Sequence, residues 1–257
     1  RRQRQMCIRD RYIPEYLSLV MFSGEVMPVK ALNDWMDHLP EAAFVNLYGP
    51  TEITCNCTYY PVKRRFANDE VLPIGTAFRN TEVFLLDEEK HLISRENVGK
   101  TGEICVKGTC LALGYYNNPE KTSEAFVQNP LNDKYPERIY RTGDLGYYDQ
   151  EGNLFFASRK DFQIKHMGHR IELGEIEVAV NALDFVDVGC CIFDQKKEKI
   201  ILCYQSREAC DKLIIKELAK TLPKFMWPQK FRHFEQLPMN KNSKIDRVYL
   251  KEICCEQ

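Results

Sequence analysis

Leu17-Ser18-Leu19-Val20-Met21-Phe22 and Ala43-Phe44-Val45-Asn46-Leu47 are two short apolar runs, and the residues between them decide the fold. Val29, Leu32, Trp35, Met36 and Leu39 recur there at helical spacing, and Pro40 closes the stretch. Ser23-Gly24-Glu25 reads as the turn that leaves the first run. Strand, helix, strand at this length implies a parallel pair, because parallel strands need a crossover connection. The second run leads directly into Tyr48-Gly49-Pro50. That turn then lies at a strand carboxyl end, where open α/β sheets place ligands.

Outward from this core the pattern changes. Glu82–Leu86, Gly102–Lys107 and Gly152–Phe156 read as short strands divided by turn residues, with a hairpin signal at Asp149-Gln150-Glu151-Gly152. The expectation is a small antiparallel or barrel-like β unit, interrupted by a helix over Pro119 to Phe126 that starts suitably on a proline. Beyond it, a strand around Phe162 to Lys165 precedes a turn at His166-Met167-Gly168. A helix carrying Ile176, Val180 and Leu183 follows. Strands over Val188–Phe193 and Lys199–Gln205 come next, then a helix carrying Leu213, Leu218 and Leu222 that Pro223 ends. The chain thus reads as α/β plus α+β: an α/β sheet and β unit over residues 12–160, and a smaller α+β unit over 161–257.

The 257 residues are 44% hydrophobic and 28% charged, as in ordinary globular proteins. The formal charge of −1 gives no support for nucleic-acid binding or for a polybasic membrane surface. No apolar run approaches the ~20 residues a membrane span requires. The 11 cysteines are odd in number, scattered, and lack a Cys-x-x-Cys pair. Several, including Cys105, Cys190, Cys191 and Cys203, fall in apolar strand-like runs, where free cysteine behaves as a small hydrophobe. A reducing, cytoplasmic compartment is the simplest expectation.

Residues 1–11 hold five Arg and two Gln without periodicity, which reads as a disordered basic arm. Met6-Cys7-Ile8-Arg9-Asp10-Arg11 also resembles a translated sequencing adapter, so this arm is expected to be non-native and the natural protein to continue upstream differently.

Three segments carry candidate chemistry. In Asn46-Leu47-Tyr48-Gly49-Pro50-Thr51-Glu52, Gly49-Pro50 forces a turn from which Tyr48, Thr51 and Glu52 project. A tyrosine face stacks on a purine, a threonine hydroxyl donates to phosphate, and a carboxylate is a hard oxygen ligand suited to Mg²⁺. A plain β-turn with a threonine cap explains the same tetrapeptide. Thr142-Gly143-Asp144 puts one carboxylate in a turn after a strand, where it suits a ribose diol or serves only the turn. Lys244, in the polar segment Asn242-Ser243-Lys244-Ile245-Asp246-Arg247, is a surface charge on its own and a stabiliser of phosphoryl charge if delivered to a phosphate site.

Taken together and in order, these segments resemble the adenylate-forming (AMP-binding) enzymes, from Tyr12 onward. Ser23-Gly24-Glu25 resembles the adenine-side turn of that superfamily, and Asn46 to Glu52 its Tyr-Gly-Pro-Thr-Glu motif. Gly102-Glu103-Ile104 through Gly114-Tyr115, and Tyr140 to Leu145, are similar to two further motifs. Ser158 to Lys165 and Gly168 to Glu177 resemble its hinge and following loop, and Lys244-Ile245-Asp246-Arg247 its terminal lysine motif. The form Arg170-Ile171-Glu172-Leu173-Gly174-Glu175-Ile176-Glu177 looks most like amino-acid adenylation domains and D-alanine:carrier-protein ligases.

The resemblance implies ATP-dependent activation of a small carboxylate, such as an amino acid, and transfer to the phosphopantetheine thiol of a carrier protein. By position, Lys244, Thr51 and Glu52 would be catalytic, with Glu52 holding Mg²⁺. Gly24, Glu25, Tyr48, Gly49, Asp144 and Arg159 would bind the nucleotide. Asp161 would be the hinge of a mobile lid, and Lys165 to Gly168 the thiolation loop, with Gly168 leaving room for the pantetheine arm. Met21, Ser23, Leu47, Cys55 and Asn56 would line a small to medium, uncharged acyl pocket.

The sequence departs from the family pattern at several points. The family's glycine-rich phosphate loop and the acidic residue that grips a substrate amine are not in the sequence. A complete member is about twice this length, so the resemblance implies a longer parent and little activity in this chain alone. Ser23 departs from the cysteine often found in D-alanine ligases, and Ser243 replaces a common glycine. An acyl-CoA synthetase using free CoA and a degenerate nucleotide-binding module are the competing readings.

Overall fold

The computed structural model describes residue 14, residues 16–160 and residues 163–255. The arm read over residues 1–11 and the hinge residue Asp161 lie outside the described residues. Strands β1 (Leu19–Ser23) and β2 (Ala43–Tyr48) are parallel, with Ser23 opposite Leu47, and helix α1 (Val29–His38) connects them. The crossover follows from the helical stripe: Val29, Leu32 and Leu39 are buried against Phe44, Phe66 and Leu72. Alternation along β1 sends Val20 and Phe22 to that cluster and leaves Leu19, Met21 and Ser23 exposed on the other face. Strands β3 (Thr58–Val62) and β4 (Thr76–Ala77) extend the sheet antiparallel in the order β1-β2-β3-β4.

The β unit is a six-stranded antiparallel sheet. It is built from β5 (Thr81–Leu86), β6 (Leu92–Ile93), β7 (Gly102–Gly108), β8 (Phe126–Gln128), β9 (Arg138–Tyr148) and β10 (Leu154–Arg159). The order is β10-β9-β7-β5-β6, with β8 on β9. Asp149 closes the β9–β10 hairpin by accepting from the N–H groups of Glu151 and Asn153. Helix α2 (Pro119–Ala125) has Pro119 in its first turn and the Asn118 side chain as its cap. The N–H groups of Ile74 and Gly75 both donate to the Leu154 carbonyl, at 2.8 and 3.2 Å, and join the two sheets.

One sequence expectation is corrected here. Thr142-Gly143-Asp144 is not a turn after a strand; it lies within the eleven-residue β9. Glu103 pairs with Leu145 and Cys105 with Arg141, so Thr142, Gly143 and Asp144 all oppose Ile104 as a bulge. Gly143 has φ +71°, which permits the bulge, and pairing with β10 carries the strand onward.

The third unit opens with a hairpin of β11 (Gln163–His166) and β12 (His169–Glu172) around Met167 and Gly168, both at positive φ. Helix α3 (Leu173–Asn181) precedes β13 (Val188–Asp194) and β14 (Lys199–Gln205), and α4 (Asp211–Thr221) precedes β15 (Lys230–Phe234). Helix α5 (Arg247–Cys254) follows β15. The sheet order is β13-β14-β15, with β14 and β15 parallel. Strand β14 is buried on both faces, which explains its unbroken apolar run. Ile200, Leu202 and Tyr204 meet Ile176 and Val180 of α3 and Ile214 and Leu218 of α4. Ile201 and Cys203 meet Leu250 and Cys254 of α5. The ten described cysteines are free, and Cys105, Cys190, Cys191 and Cys203 are all buried. Among the described residues no helix is long and apolar enough to cross a membrane.

Candidate active site

The turn after β2 owes its shape to Gly49. A Cβ there would lie 2.6 Å from Asn56 Cα and 2.8 Å from Cys57 N, so only glycine lets the chain fold back this closely. The Cys57 N–H donates to the Tyr48 carbonyl at 2.7 Å and closes the loop. Thr51–Ile53 form one 3₁₀ turn ended by Thr54 at φ +63°. Fully buried Ile53 pins this turn, leaving Thr51 exposed and Glu52 half-buried.

Asp144 faces this loop from the β9 bulge and is only 6% exposed. The Tyr48 hydroxyl donates to its Oδ2 at 2.6 Å and Arg159 Nη1 to its Oδ1 at 3.1 Å. The Asp144 N–H donates to Thr142 Oγ1 at 2.9 Å, and Thr142 Oγ1 donates to the Ile104 carbonyl at 2.8 Å. Burial pushes the Asp144 carboxyl up; Tyr48 and Arg159 pull it down, and the negative charges of Glu52 and Glu103 push it up again. The net position is above the ordinary aspartate value. Burial first, then Asp144, lifts the Tyr48 hydroxyl well above its ordinary value, so it remains a donor near neutral pH.

A second carboxylate, which residue-by-residue reading did not single out, supports the bulge from β7. Glu103 Oε2 accepts from Arg141 Nη2 at 2.5 Å and from Lys160 Nζ at 2.8 Å, while Oε1 accepts the Gly143 N–H at 3.2 Å. Burial alone would raise this carboxyl, but Lys160 and Arg141 outweigh it and hold it below the usual glutamate range. A lone acid inside the apolar run Gly102 to Val106 was the signal available.

Lys244 arrives from the third unit. Its turn is held by Asn240, whose Oδ1 accepts the N–H groups of Asn242 and Lys244 at 2.9 and 3.0 Å. The Asn240 N–H donates to the Lys244 carbonyl at 2.8 Å. A Cβ built on Gly24, in the turn after β1, would sit 3.8 Å from Lys244 Cε and 3.9 Å from Nζ. The ammonium is therefore delivered to the carboxyl end of β1, beside exposed Glu25. The third unit also touches α1 directly, where Lys30 Nζ donates to the Asp184 carbonyl at 3.0 Å.

The five pocket candidates gather at one place. Met21 and Ser23 lie on the uncovered face of β1, and Leu47 is the register partner of Ser23. Ser23 Oγ donates to Asn56 Oδ1 at 2.6 Å, and Cys55, beside Asn56, is exposed at φ +86°. Lys165 lies on β11 opposite Arg170, and Gly168 in the hairpin turn. A Cβ on Gly168 meets nothing within 4 Å in this arrangement; the feature that calls for glycine is φ +78°.

The sequence model described as AMP-binding enzyme matches residues 2–116. Surfactin synthase subunit 1 of Bacillus subtilis is 36% identical over 235 residues, which are 90% of this chain and 6% of that protein. The D-alanine–D-alanyl carrier protein ligase of Bacillus licheniformis is 35% identical over 264 residues, 96% of this chain and 51% of that one. The chain thus spans about half the length of that ligase and a small share of the synthase. Among solved structures, Klebsiella oxytoca NpsA in complex with 3-hydroxyanthranilyl-AMSN superposes with a TM-score of 0.83 at 25% identity. That match covers 98% of this chain and 50% of that one. A four-domain nonribosomal peptide synthetase bound to AMP and glycine superposes with a TM-score of 0.80 at 28% identity, covering 98% of this chain and 19% of that one. Sequence matches and fold agree in what the chain is similar to: the AMP-binding, adenylate-forming enzymes.

Proposed function

We propose that the protein carrying this chain activates a small carboxylate, an amino acid by preference, as its acyl-adenylate and passes the acyl group to a carrier-protein thiol. The observation that carries the reading is the meeting of Lys244 with Gly24, on the sheet that also presents the Tyr48–Glu52 loop to Asp144. In this reading Asp144 accepts hydrogen bonds from the ribose hydroxyls, with Arg159 beside it. Tyr48 lies against the adenine, bordered by Gly24, Glu25 and Gly49, and Thr51 donates to phosphate.

Lys244 spans the substrate carboxylate and the α-phosphate. The carboxylate oxygen attacks the α-phosphorus, the bond from that phosphorus to the bridging oxygen breaks, and pyrophosphate leaves with the electron pair. The ammonium offsets the negative charge gathering on the phosphoryl oxygens. Glu52 suits Mg²⁺: it is a hard oxygen donor, half-buried on a rigid turn, and one carboxylate with substrate phosphates is a common Mg²⁺ arrangement. When bound, Mg²⁺ supplies charge neutralisation at those phosphates.

Met21, Ser23, Leu47, Cys55 and Asn56 shape an uncharged acyl pocket, which suits a small side chain. For the second half-reaction, Asp161 serves as pivot and the Lys165–Gly168 hairpin admits the pantetheine arm. Its thiol sulfur attacks the acyl carbon and gives its proton to solvent, the bond from that carbon to the phosphate oxygen breaks, and AMP leaves with the electron pair. A cytoplasmic location accords with this chemistry and with the free cysteines.

The test uses the full gene product with ATP, Mg²⁺ and a panel of amino and other small carboxylic acids. The expected result is acid-dependent pyrophosphate release, followed by thioester on a carrier protein rather than on free CoA. ATP binding without pyrophosphate release would reduce the protein to a binding module. Thioester on CoA alone would make it an acyl-CoA synthetase.

A further inference from the structure

The segment between β7 and α2 grips the Glu52 turn at three points. The Ala112 N–H donates to the Glu52 carbonyl at 2.8 Å, Thr54 Oγ1 donates to the Cys110 carbonyl at 2.8 Å, and the Tyr115 hydroxyl donates to Glu52 Oε1 at 2.6 Å. Tyr115 is itself firmly seated. Its ring meets Phe126 edge-on at 5.9 Å, and the Lys121 ammonium lies 4.9 Å over its face. Its N–H donates to Thr122 Oγ1 at 2.9 Å. Gly114 makes this seat possible: its φ is +142°, and a Cβ there would lie 2.4 Å from Thr122 Cγ2. The Tyr140 hydroxyl stands 3.5 Å from that of Tyr115 and backs the same corner.

We propose that Tyr115 is a positioning residue for the divalent cation, holding one carboxylate oxygen of Glu52 and so setting the orientation in which Glu52 meets the metal. The proposal rests on the reading of Glu52 as the metal ligand. A glutamate on an open turn has several rotamers to surrender when a cation binds. A hydrogen bond from a seated phenol removes most of that cost beforehand, as outer-shell partners do in metal sites. The sharp bend at Gly114, at the end of a segment that hydrogen-bonds both sides of the Glu52 turn, has a physical use in this scheme: it aims one hydroxyl.

The experiment titrates Mn²⁺, followed by electron paramagnetic resonance, into the full gene product with α,β-methylene-ATP. Wild type is compared with Glu52→Gln, Tyr115→Phe and Tyr116→Phe, the last a fully exposed neighbour serving as control. Glu52→Gln and Tyr115→Phe are both expected to weaken Mn²⁺ binding, the second by about 10-fold. Tyr116→Phe should match wild type, and metal-free nucleotide affinity should not change in Tyr115→Phe. If Glu52→Gln leaves Mn²⁺ affinity intact, the reading of Glu52 fails and the proposal with it. If Glu52→Gln weakens it and Tyr115→Phe does not, the proposal alone is overturned. An equal loss of metal-free nucleotide binding in Tyr115→Phe also overturns it, by showing a merely structural role. Should Tyr115→Phe not fold, Thr122→Val removes the acceptor of the Tyr115 N–H and poses the same question.

Discussion

The Asp144 bulge and the Lys244 turn bring opposite charges to the same end of the β1–β2 sheet by opposite means. Asp144 is buried, and four neighbours determine its position: Tyr48, Thr142, Arg159 and, through the Gly143 N–H, Glu103. Lys244 is exposed, and Asn240 holds its backbone while its side chain reaches across to Gly24. The first arrangement spends desolvation energy to pre-set a carboxylate, which is why its pKa lies above the ordinary value. The second leaves the ammonium solvated and places it through a turn. A group that must be rigid is packed into a sheet, and a group that must reach another unit is carried on a loop.

The largest effect is expected at Lys244. Lys244→Ala should lower adenylate formation by a factor on the order of 10²–10³, while thioester formation from supplied acyl-adenylate persists. Equal loss of both steps, measured in single turnovers, would remove Lys244 from the assigned role.

At Asp144 the expected effect is smaller and falls on binding. Asp144→Asn should weaken AMP binding by about 10-fold, the loss of roughly one charge-assisted hydrogen bond. Calorimetry with AMP and 2′,3′-dideoxy-AMP reads it: the variant should lose the preference for the ribose diol. Its melting temperature should change little, because the wild-type carboxylate is costly to bury.

Glu103 and Asp144 should also separate by pH. Glu103 is lowered in the folded state, so it contributes stability above its unfolded value of about 4.3, and that stability fades as pH falls through the lower folded value. Asp144 is raised, so its contribution has the other sign: it is present below the unfolded value of about 3.9 and lost as pH rises through the folded one. Glu103→Gln should cost about 1–3 kcal/mol at neutral pH and flatten the acid limb of a urea-unfolding series. An acid limb as steep as wild type would show that other carboxylates set it.

The smallest effect belongs to the Lys244 turn itself. Ser243 sits at φ +61°, so Ser243→Gly should stabilise the third unit by about 0.5 kcal/mol, the relief of left-handed strain less the entropy of glycine. A lower urea midpoint would mean that the serine side chain contributes more than its backbone strain costs.

How far the molecule was legible varies by residue. The β1–α1–β2 crossover was readable because its apolar spacing is long and regular, and the Tyr48–Glu52 loop because Gly49-Pro50 marks it. Strand β15 was not, since Lys230-Phe231-Arg232-His233-Phe234 mixes charge with its aromatics. Helix α5 buries only Leu250 and Cys254, too few positions for a visible period. Asp144 looked like a turn residue because Gly143 signals one, yet pairing on both sides keeps the strand going through a bulge.

Local pattern in the chain settles the elements and their punctuation: where a helix must cross over, where a glycine must bend the chain, and which acids, tyrosines and lysine are available for nucleotide chemistry. Those are local matters, governed by side-chain periodicity and backbone sterics within a few residues. The partnerships arise from packing across the fold: Tyr48 with Asp144, Glu103 with Arg141 and Lys160, Tyr115 with Glu52 and Lys244 with Gly24. Strand register and the packing of separate sheets bring these groups together, and their energies depend on burial and on neighbours distant in the chain.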